Sequence, residues 1–107
     1  MARLGFRKRY IAFKVISEEQ HNKQAIFDAI SKSILTLRGS HRPNKINLRL
    51  LEYDQQSGQG ILVCGHKLVD LVRQSISTGI KIADKPATIR VIGVSGTIRR
   101  LYQKFLS

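Results

Sequence analysis

The sequence predicts an α+β fold in which one sheet carries two helices on the same face, with a further helix at the end. Arg9–Ile16 and Ala87–Val94 alternate between apolar and polar residues, as half-buried strands do. Two longer segments, ending near Arg38 and Gly79, instead repeat apolar residues at helical spacing. With two further strands between these helices, the order is β-α-β-β-α-β. This order matches the split βαβ, ferredoxin-like plan with a four-stranded sheet.

In the first strand, alternate side chains are predicted to point to opposite faces of the sheet. One face receives Ile11, Phe13 and Val15, and the other receives Tyr10, Ala12 and Lys14. Ser17-Glu18-Glu19-Gln20 matches a capping box, which predicts the start of the first helix. That helix runs to about Arg38, before Gly39. Its predicted buried stripe is Phe27, Ile30, Ile34 and Leu37.

The second strand is predicted over Ile46–Asp54. Its inward residues would be Ile46, Leu48 and Leu50, with Leu51 and Tyr53 on the other face. Gln55–Gln59 has the composition of a hairpin turn, because Ser and Gly interrupt the apolar pattern. The short apolar segment Gly60–Cys64 is typical of a central strand.

The second helix is predicted to open at Gly65-His66-Lys67 and to end at Gly79. Its apolar face would be formed by Leu68, Leu71, Val72 and Ile76. Ile80–Ala87 is predicted to be a connector that ends in Lys-Pro. In the last strand, Ala87–Val94, Ile89 and Val91 share one face, and Arg90 and Ile92 share the other.

The terminal segment Val94–Leu106 combines a strand end, a glycine and an amphipathic helix. Gly96 interrupts the strand, and Thr97 or Ser95 can cap the helix. Its apolar stripe comprises Ile98, Leu101, Tyr102 and Phe105, and its polar side comprises Arg99, Arg100, Gln103 and Lys104. Arginines in a first turn face the positive end of the helix dipole, a cost that disappears when an anion binds. The alternative is a solvated basic face on a helix packed against the core.

The second sheet face is predicted to be partly apolar, so it needs a cover. Its apolar residues would be Tyr10, Leu51, Tyr53 and Ile92. Either the terminal helix or a protein partner would cover them.

Composition predicts one small basic domain over residues 1–107, with a basic N-terminal arm, Met1–Arg9. The chain has 19 Lys+Arg against 7 Asp+Glu, a net charge of +12. Such a charge attracts polyanions, of which nucleic acid is the first candidate and a membrane surface the second. The sequence shows no spanning segment, signal peptide or lipidation motif, so we expect a cytoplasmic protein.

Catalysis and metal binding by the protein itself find little support in the residues. The sequence contains no P-loop, no GxGxxG motif and no paired carboxylates in a shared element. Cys64 is the only cysteine and has only His66 nearby, whereas zinc needs three or four ligands. We therefore expect no metal or cofactor on the protein, and a buried structural role for Cys64.

The expected partner is structured RNA, bound through phosphates. RNA-recognition modules stack bases on aromatic residues of two central strands. The first strand offers Tyr10, but GILVCG offers no aromatic residue, so base stacking on the sheet is not the expected mode. Tyr10 and Tyr53 either contact RNA or pack on the sheet. Contacts from arginine and lysine to phosphates position a protein on folded RNA without reading its sequence.

Three segments, RYIAFKV, GQGILVCGHKLVDLV and VSGTIRRLYQKFL, resemble the archaeal and eukaryotic ribonuclease P protein family, and within it the component 2 proteins. The resemblance implies a non-catalytic subunit of the ribonucleoprotein that removes the 5′ leader from precursor tRNA, with catalysis by an RNA that uses Mg²⁺. It also implies a partner, component 3, in a heterotetramer with two copies of each. The compact length resembles the archaeal members.

The residues and the resemblance together predict an electrostatic brace for the catalytic RNA. The primary candidate RNA-binding residues are Arg7, Lys8, Arg9, Arg99, Arg100 and Lys104, and the secondary ones are Arg42 and Lys45. The rival hypothesis is a ribosomal protein or RNA chaperone that binds RNA generally.

Overall fold

In a computed structural model, the protein forms one antiparallel sheet with helices on both faces. The structure describes residues 8–38, 48–77, 80–82 and 85–106. Its strands are β1 (Lys8–Ile16), β2 (Arg49–Tyr53), β3 (Gln59–Gly65), β4 (Ile80–Ile82) and β5 (Lys85–Ser95). Its α-helices are α1 (Lys23–Arg38), α2 (Val69–Ser77) and α3 (Ile98–Leu101). A 3₁₀ turn, His66–Leu68, leads into α2, and a π-helical segment, Tyr102–Leu106, extends α3.

The sheet has five strands in the order β2-β3-β1-β5-β4, and every neighbouring pair is antiparallel. The ferredoxin-like α+β plan is therefore confirmed, and β3 lies inside the sheet as predicted. The prediction of a connector over Ile80–Ala87 was wrong. Ile80 and Ile82 are buried and Lys81 is exposed, so this short segment alternates like a strand and pairs with β5.

The main core lies between the sheet and the two longer helices. Phe13 and Leu62 from the central strands are completely buried there, together with Ile26 and Ile34 of α1 and Ile76 of α2. Burial of these side chains is the principal stabilising contribution, at roughly 25 cal/mol per Å² of apolar surface. The faces predicted for Ile11, Phe13 and Val15 are confirmed.

The first helix begins later than the capping box predicted. α1 starts at Lys23, and its cap is Asn22, whose Oδ1 accepts a hydrogen bond from the Ala25 amide at 2.8 Å. Ser17 instead closes a local turn by accepting from the Glu19 amide at 3.3 Å, and its Oγ lies 3.2 Å from Nε2 of buried His21. The hydroxyl therefore organises the loop between β1 and α1.

A β-bulge changes the face that Tyr53 occupies. Pairing between β2 and β3 shifts between Leu50 and Glu52, so that Leu51 is an extra residue. Tyr53 then returns to the core side, where its ring stacks on Phe13 with centroids 6.4 Å apart. The prediction that Tyr53 faces the opposite side was wrong, because simple alternation cannot anticipate an inserted residue.

The predicted turn at Gln55–Gln59 is confirmed. Gly58 has a φ of 79°, which favours glycine, and its carbonyl accepts a hydrogen bond from the Val15 amide at 2.8 Å. This bond holds the turn against the end of β1.

Candidate nucleic-acid interface

The junction between β5 and α3 is built as the sequence predicts. β5 ends at Ser95, and the Oγ1 of Thr97 accepts a hydrogen bond from the Arg100 amide at 3.1 Å. Ser95 adds a second contact, because its Oγ accepts from the Thr97 amide at 3.4 Å. Thr97 is thus the N-cap of α3.

The apolar side of α3 covers the second face of the sheet. Leu101 is completely buried against Ala12 and Ile61, with Ile98 and Ile92 at the margin of this small cluster. Of the two alternatives for covering this face, the terminal helix is therefore the one observed. It occupies surface on which an RNA-recognition module would stack bases, so base stacking there is blocked.

A glycine allows the end of this helical segment to lie close to the sheet. A Cβ atom at Gly93 would lie 2.5 Å from ring carbons of Phe105, closer than any real contact. Pairing between β1 and β5 shifts beside this point, which makes Ile92 an extra residue. Because of this bulge, both Ile92 and Gly93 lie under the α3 segment.

The basic residues of the terminal segment point away from this contact. Arg99, Arg100 and Lys104 are all exposed, and no acidic residue occupies the first turn of α3. None of the three forms an ion pair within the part of the chain that the structure describes. Three cations therefore present free donors to solvent, an arrangement that can bind phosphates.

Arg9, a residue of β1, lies beside the same junction. A Cβ atom at Gly96 would lie 3.5 Å from Nη1 of Arg9, so the guanidinium lies beside the β5–α3 connection. Nη1 also donates to the Lys8 carbonyl at 3.1 Å, while the Lys8 side chain is exposed. The structure thus brings the Arg9 guanidinium next to the connection that leads into α3, and Lys8 precedes Arg9 in β1. We call Lys8, Arg9, Arg99, Arg100 and Lys104 the junction cations.

Three other predicted residues, Arg7, Arg42 and Lys45, lie outside the described residues. Their role in RNA binding stays a prediction. The tyrosines belong to packing in the structure: Tyr10 is half-buried against the α3 cluster, and Tyr53 lies in the main core, where burial raises its pKa.

Sequence analysis missed one pair of cations on the face that α3 partly covers. Lys14 and Arg90 are directly opposite each other in β1 and β5, and both are exposed. The alternation of each strand placed these side chains on the second face, but the register that aligns them cannot be read from either strand alone.

A hydrogen bond from the Tyr102 hydroxyl to the Glu52 carboxylate also escaped sequence analysis. It connects the end of α3 to β2 and raises the pKa of Tyr102. Glu52 is thereby engaged with α3 rather than with a cation of the junction.

Cys64 is buried, and burial raises the pKa of its thiol to about 11. Its burial agrees with the structural role predicted for Cys64. Among the residues that the structure describes, no group of three or more His, Cys, Asp or Glu side chains could hold a metal ion. Within the same ranges, no helix is long and apolar enough to cross a membrane.

Comparison with known proteins gives consistent matches over nearly the whole chain. The Rpp14/Pop5 family model matches residues 9–106. Ribonuclease P protein component 2 of Pyrococcus furiosus is 44% identical over 101 residues, covering 94% of this chain and 84% of that protein. The protein of the same name from Methanosarcina mazei is 37% identical over 103 residues, covering 96% and 87%.

A chain in the cryo-EM structure of yeast ribonuclease MRP has the same fold. The two superpose with a TM-score of 0.69, covering 90% of this chain and 79% of the yeast chain. Sequence identity is 14%, so this similarity concerns the fold alone.

Proposed function

Because the chain belongs to the Rpp14/Pop5 family, we propose that it is a non-catalytic subunit of ribonuclease P that binds and stabilises the catalytic RNA during 5′-leader removal from precursor tRNA. The proposal is supported by the names of the archaeal relatives, which are ribonuclease P protein component 2. RNA carries out catalysis and uses Mg²⁺ in this proposal, and the protein contributes binding alone.

The observation that carries the proposal is the arrangement of the junction cations. α3 buries Leu101 against the sheet and leaves Arg99 and Arg100 exposed, and Arg9 lies beside Gly96 from the other end of the chain. These cations have positions fixed by a packed helix and a central strand. Cations gathered at one junction of the fold neutralise phosphates where RNA strands approach each other, and each contact releases condensed counterions.

The chemistry of arginine suits these positions. Its guanidinium stays charged at neutral pH, and its planar fork of N–H donors matches two oxygens of a phosphate. Arg99 and Arg100 can therefore each bind a phosphate through paired hydrogen bonds.

We further propose that the protein acts with component 3 in a heterotetramer of two copies each, in the cytoplasm. The family membership supports this partner class. A protein partner needs apolar surface to cover, and three such side chains are available: Leu51, Tyr102 and Phe105 are each 37–38% exposed.

The proposed function is tested by reconstitution. Ribonuclease P RNA from the source organism is assayed for cleavage of precursor tRNA at limiting Mg²⁺, with and without this protein and component 3. The expected result is cleavage at lower Mg²⁺ when both proteins are present, and none when the RNA is left out. Cleavage by the protein without RNA would contradict the proposal. So would selection of ribosomal RNA over ribonuclease P RNA in a pull-down from cell extract.

A further inference from the structure

Among the described residues, α3 covers only part of the second face of the sheet, and two exposed cations lie side by side next to the covered part. In the register of β1 and β5, Lys14 is directly opposite Arg90. α3 packs on Ala12 and Ile92, and the next residues on the same face are Lys14 and Arg90. The pair therefore borders the helix at a distance of two residues along each strand, about 7 Å.

This alignment is unfavourable for the free protein. Residues directly opposite in an antiparallel pair have Cβ atoms about 5 Å apart, and like charges there repel. Within the described ranges, neither side chain has an acidic partner. Glu19 lines the same surface depression but forms its ion pair with Lys85. A positively charged pair is thus held on a rigid sheet without compensation from these residues.

The surroundings of the pair suit an anion with several oxygen atoms. Lys14 and Arg90 border an open depression of about 420 Å³ at the end of β1. The residues that line it include Ser17, Gln20, Gln55 and Gln56, whose side chains carry neutral hydrogen-bonding groups. The turn that carries the last two is fixed by the bond from the Val15 amide to the Gly58 carbonyl. A fixed cation pair beside neutral donors can bind a phosphate group.

We propose that Lys14 and Arg90 together bind one phosphate of the RNA backbone, at a site separate from the junction cations. This proposal rests on the proposed function, because it assumes that RNA is the partner. Arginine supplies a planar fork to two phosphate oxygens, and lysine supplies a point charge to a third. When a phosphate lies between them, both cations are attracted to the same anion, and this attraction offsets their mutual repulsion.

The test compares Arg90→Glu with Arg73→Glu in the full chain. Both variants replace an arginine by a glutamate, so they have the same net charge. Arg73 is an exposed residue of α2, on the opposite side of the sheet, and serves as the control. For Arg90→Glu we expect a higher melting temperature of the free protein, because a carboxylate then lies opposite Lys14. We also expect roughly tenfold weaker binding of a ribonuclease P RNA transcript at 0.1 M salt, and a salt slope lower by about 1. Arg73→Glu should change neither slope nor melting temperature appreciably.

Two further variants keep the test decisive. Arg90→Lys retains the charge and should retain the salt slope, and Lys14→Gln should lower the slope as Arg90→Glu does. Equal RNA binding by Arg90→Glu and Arg73→Glu would overturn the site. Loss of component 3 binding with unchanged RNA binding would overturn it too, because the pair would then serve a protein interface.

The outcomes separate this site from the proposed function. If the unmodified protein binds the transcript and Arg99→Ala/Arg100→Ala weakens that binding, the proposed function is supported whatever Arg90→Glu does. If the unmodified protein does not bind the transcript, the proposed function itself fails.

Discussion

The two faces of the sheet differ in how much they bury and in what they leave exposed. Among the described residues, fifteen buried side chains form the cluster under α1 and α2, whereas three form the cluster under α3. The α3 side instead carries exposed cations: Arg99, Arg100 and Lys104 on the terminal segment, and the pair Lys14 and Arg90 on the sheet. The comparison indicates that the face under α1 and α2 supplies most of the folding free energy. The small cluster under α3 instead fixes the position of a helix that carries cations.

The largest loss of stability is expected when a buried leucine of the main core is replaced by alanine. Leu62, on β3, is completely buried. Leu62→Ala should lower the free energy of unfolding by about 4 kcal/mol, because a rigid sheet packed under two helices cannot close the cavity. Chemical denaturation measures this change. A loss below about 2 kcal/mol would indicate that the main core is less rigid than the packing suggests.

The same substitution on the other face should cost less. Leu101 is also completely buried, but among the described residues only two other buried side chains, Ala12 and Ile61, belong to its cluster. Leu101→Ala should cost about 2–3 kcal/mol, because a helix held by so few buried contacts can shift to fill part of the cavity. It should also weaken RNA binding, since the junction cations would no longer have fixed positions. A cost equal to that of Leu62→Ala would remove the contrast between the faces.

Loss of the α3 cap should have an intermediate effect. Thr97→Ala removes the acceptor for the Arg100 amide and should cost about 1 kcal/mol in unfolding free energy. Thr97→Ser keeps a hydroxyl at this position and should restore most of the stability. If the serine variant is as unstable as the alanine variant, the hydroxyl does not act as the cap.

The smallest effect concerns the exposed ion pair between Glu19 and Lys85. The hydrogen bond and charge of Lys85 hold the pKa of Glu19 below its usual value of 4.5. Because the folded-state pKa is lowered, the stabilisation is present above the usual pKa and is lost as pH falls through the folded value. Denaturation at several acidic pH values should show a slight decrease in the free energy of unfolding as pH falls. Glu19→Gln should abolish this decrease, and Glu18→Gln should leave it unchanged. Both partners of the pair are more than half exposed, so solvent screens the interaction.

Much of this architecture is predictable from the sequence because it depends on local signals. The alternation in β1, the hydroxyl of Thr97 and the helical spacing of Ile98 and Leu101 each act within a few residues. They predicted the strand, the cap and the buried side of the terminal helix. The exposed side, with Arg99 and Arg100, followed from the same periodicity.

Features that depend on register were not predictable. The bulge at Leu51 turned Tyr53 towards the core, and a second shift placed Ile92 and Gly93 together under the α3 segment. β4 is three residues long, too short for a periodic signal, and is recognisable only when paired with β5. The alignment of Lys14 with Arg90 has the same origin, since it is fixed by pairing between distant strands.

The most direct test of the account is the salt dependence of ribonuclease P RNA binding by Arg99→Ala/Arg100→Ala, measured beside its free energy of unfolding. Both side chains are exposed, so the unfolding free energy should stay within about 0.5 kcal/mol of the unmodified value. The salt slope should fall by about 2, because each arginine that no longer neutralises a phosphate lowers it by about 1. An unchanged slope, or a large decrease in stability, would show that these arginines serve the fold rather than the RNA.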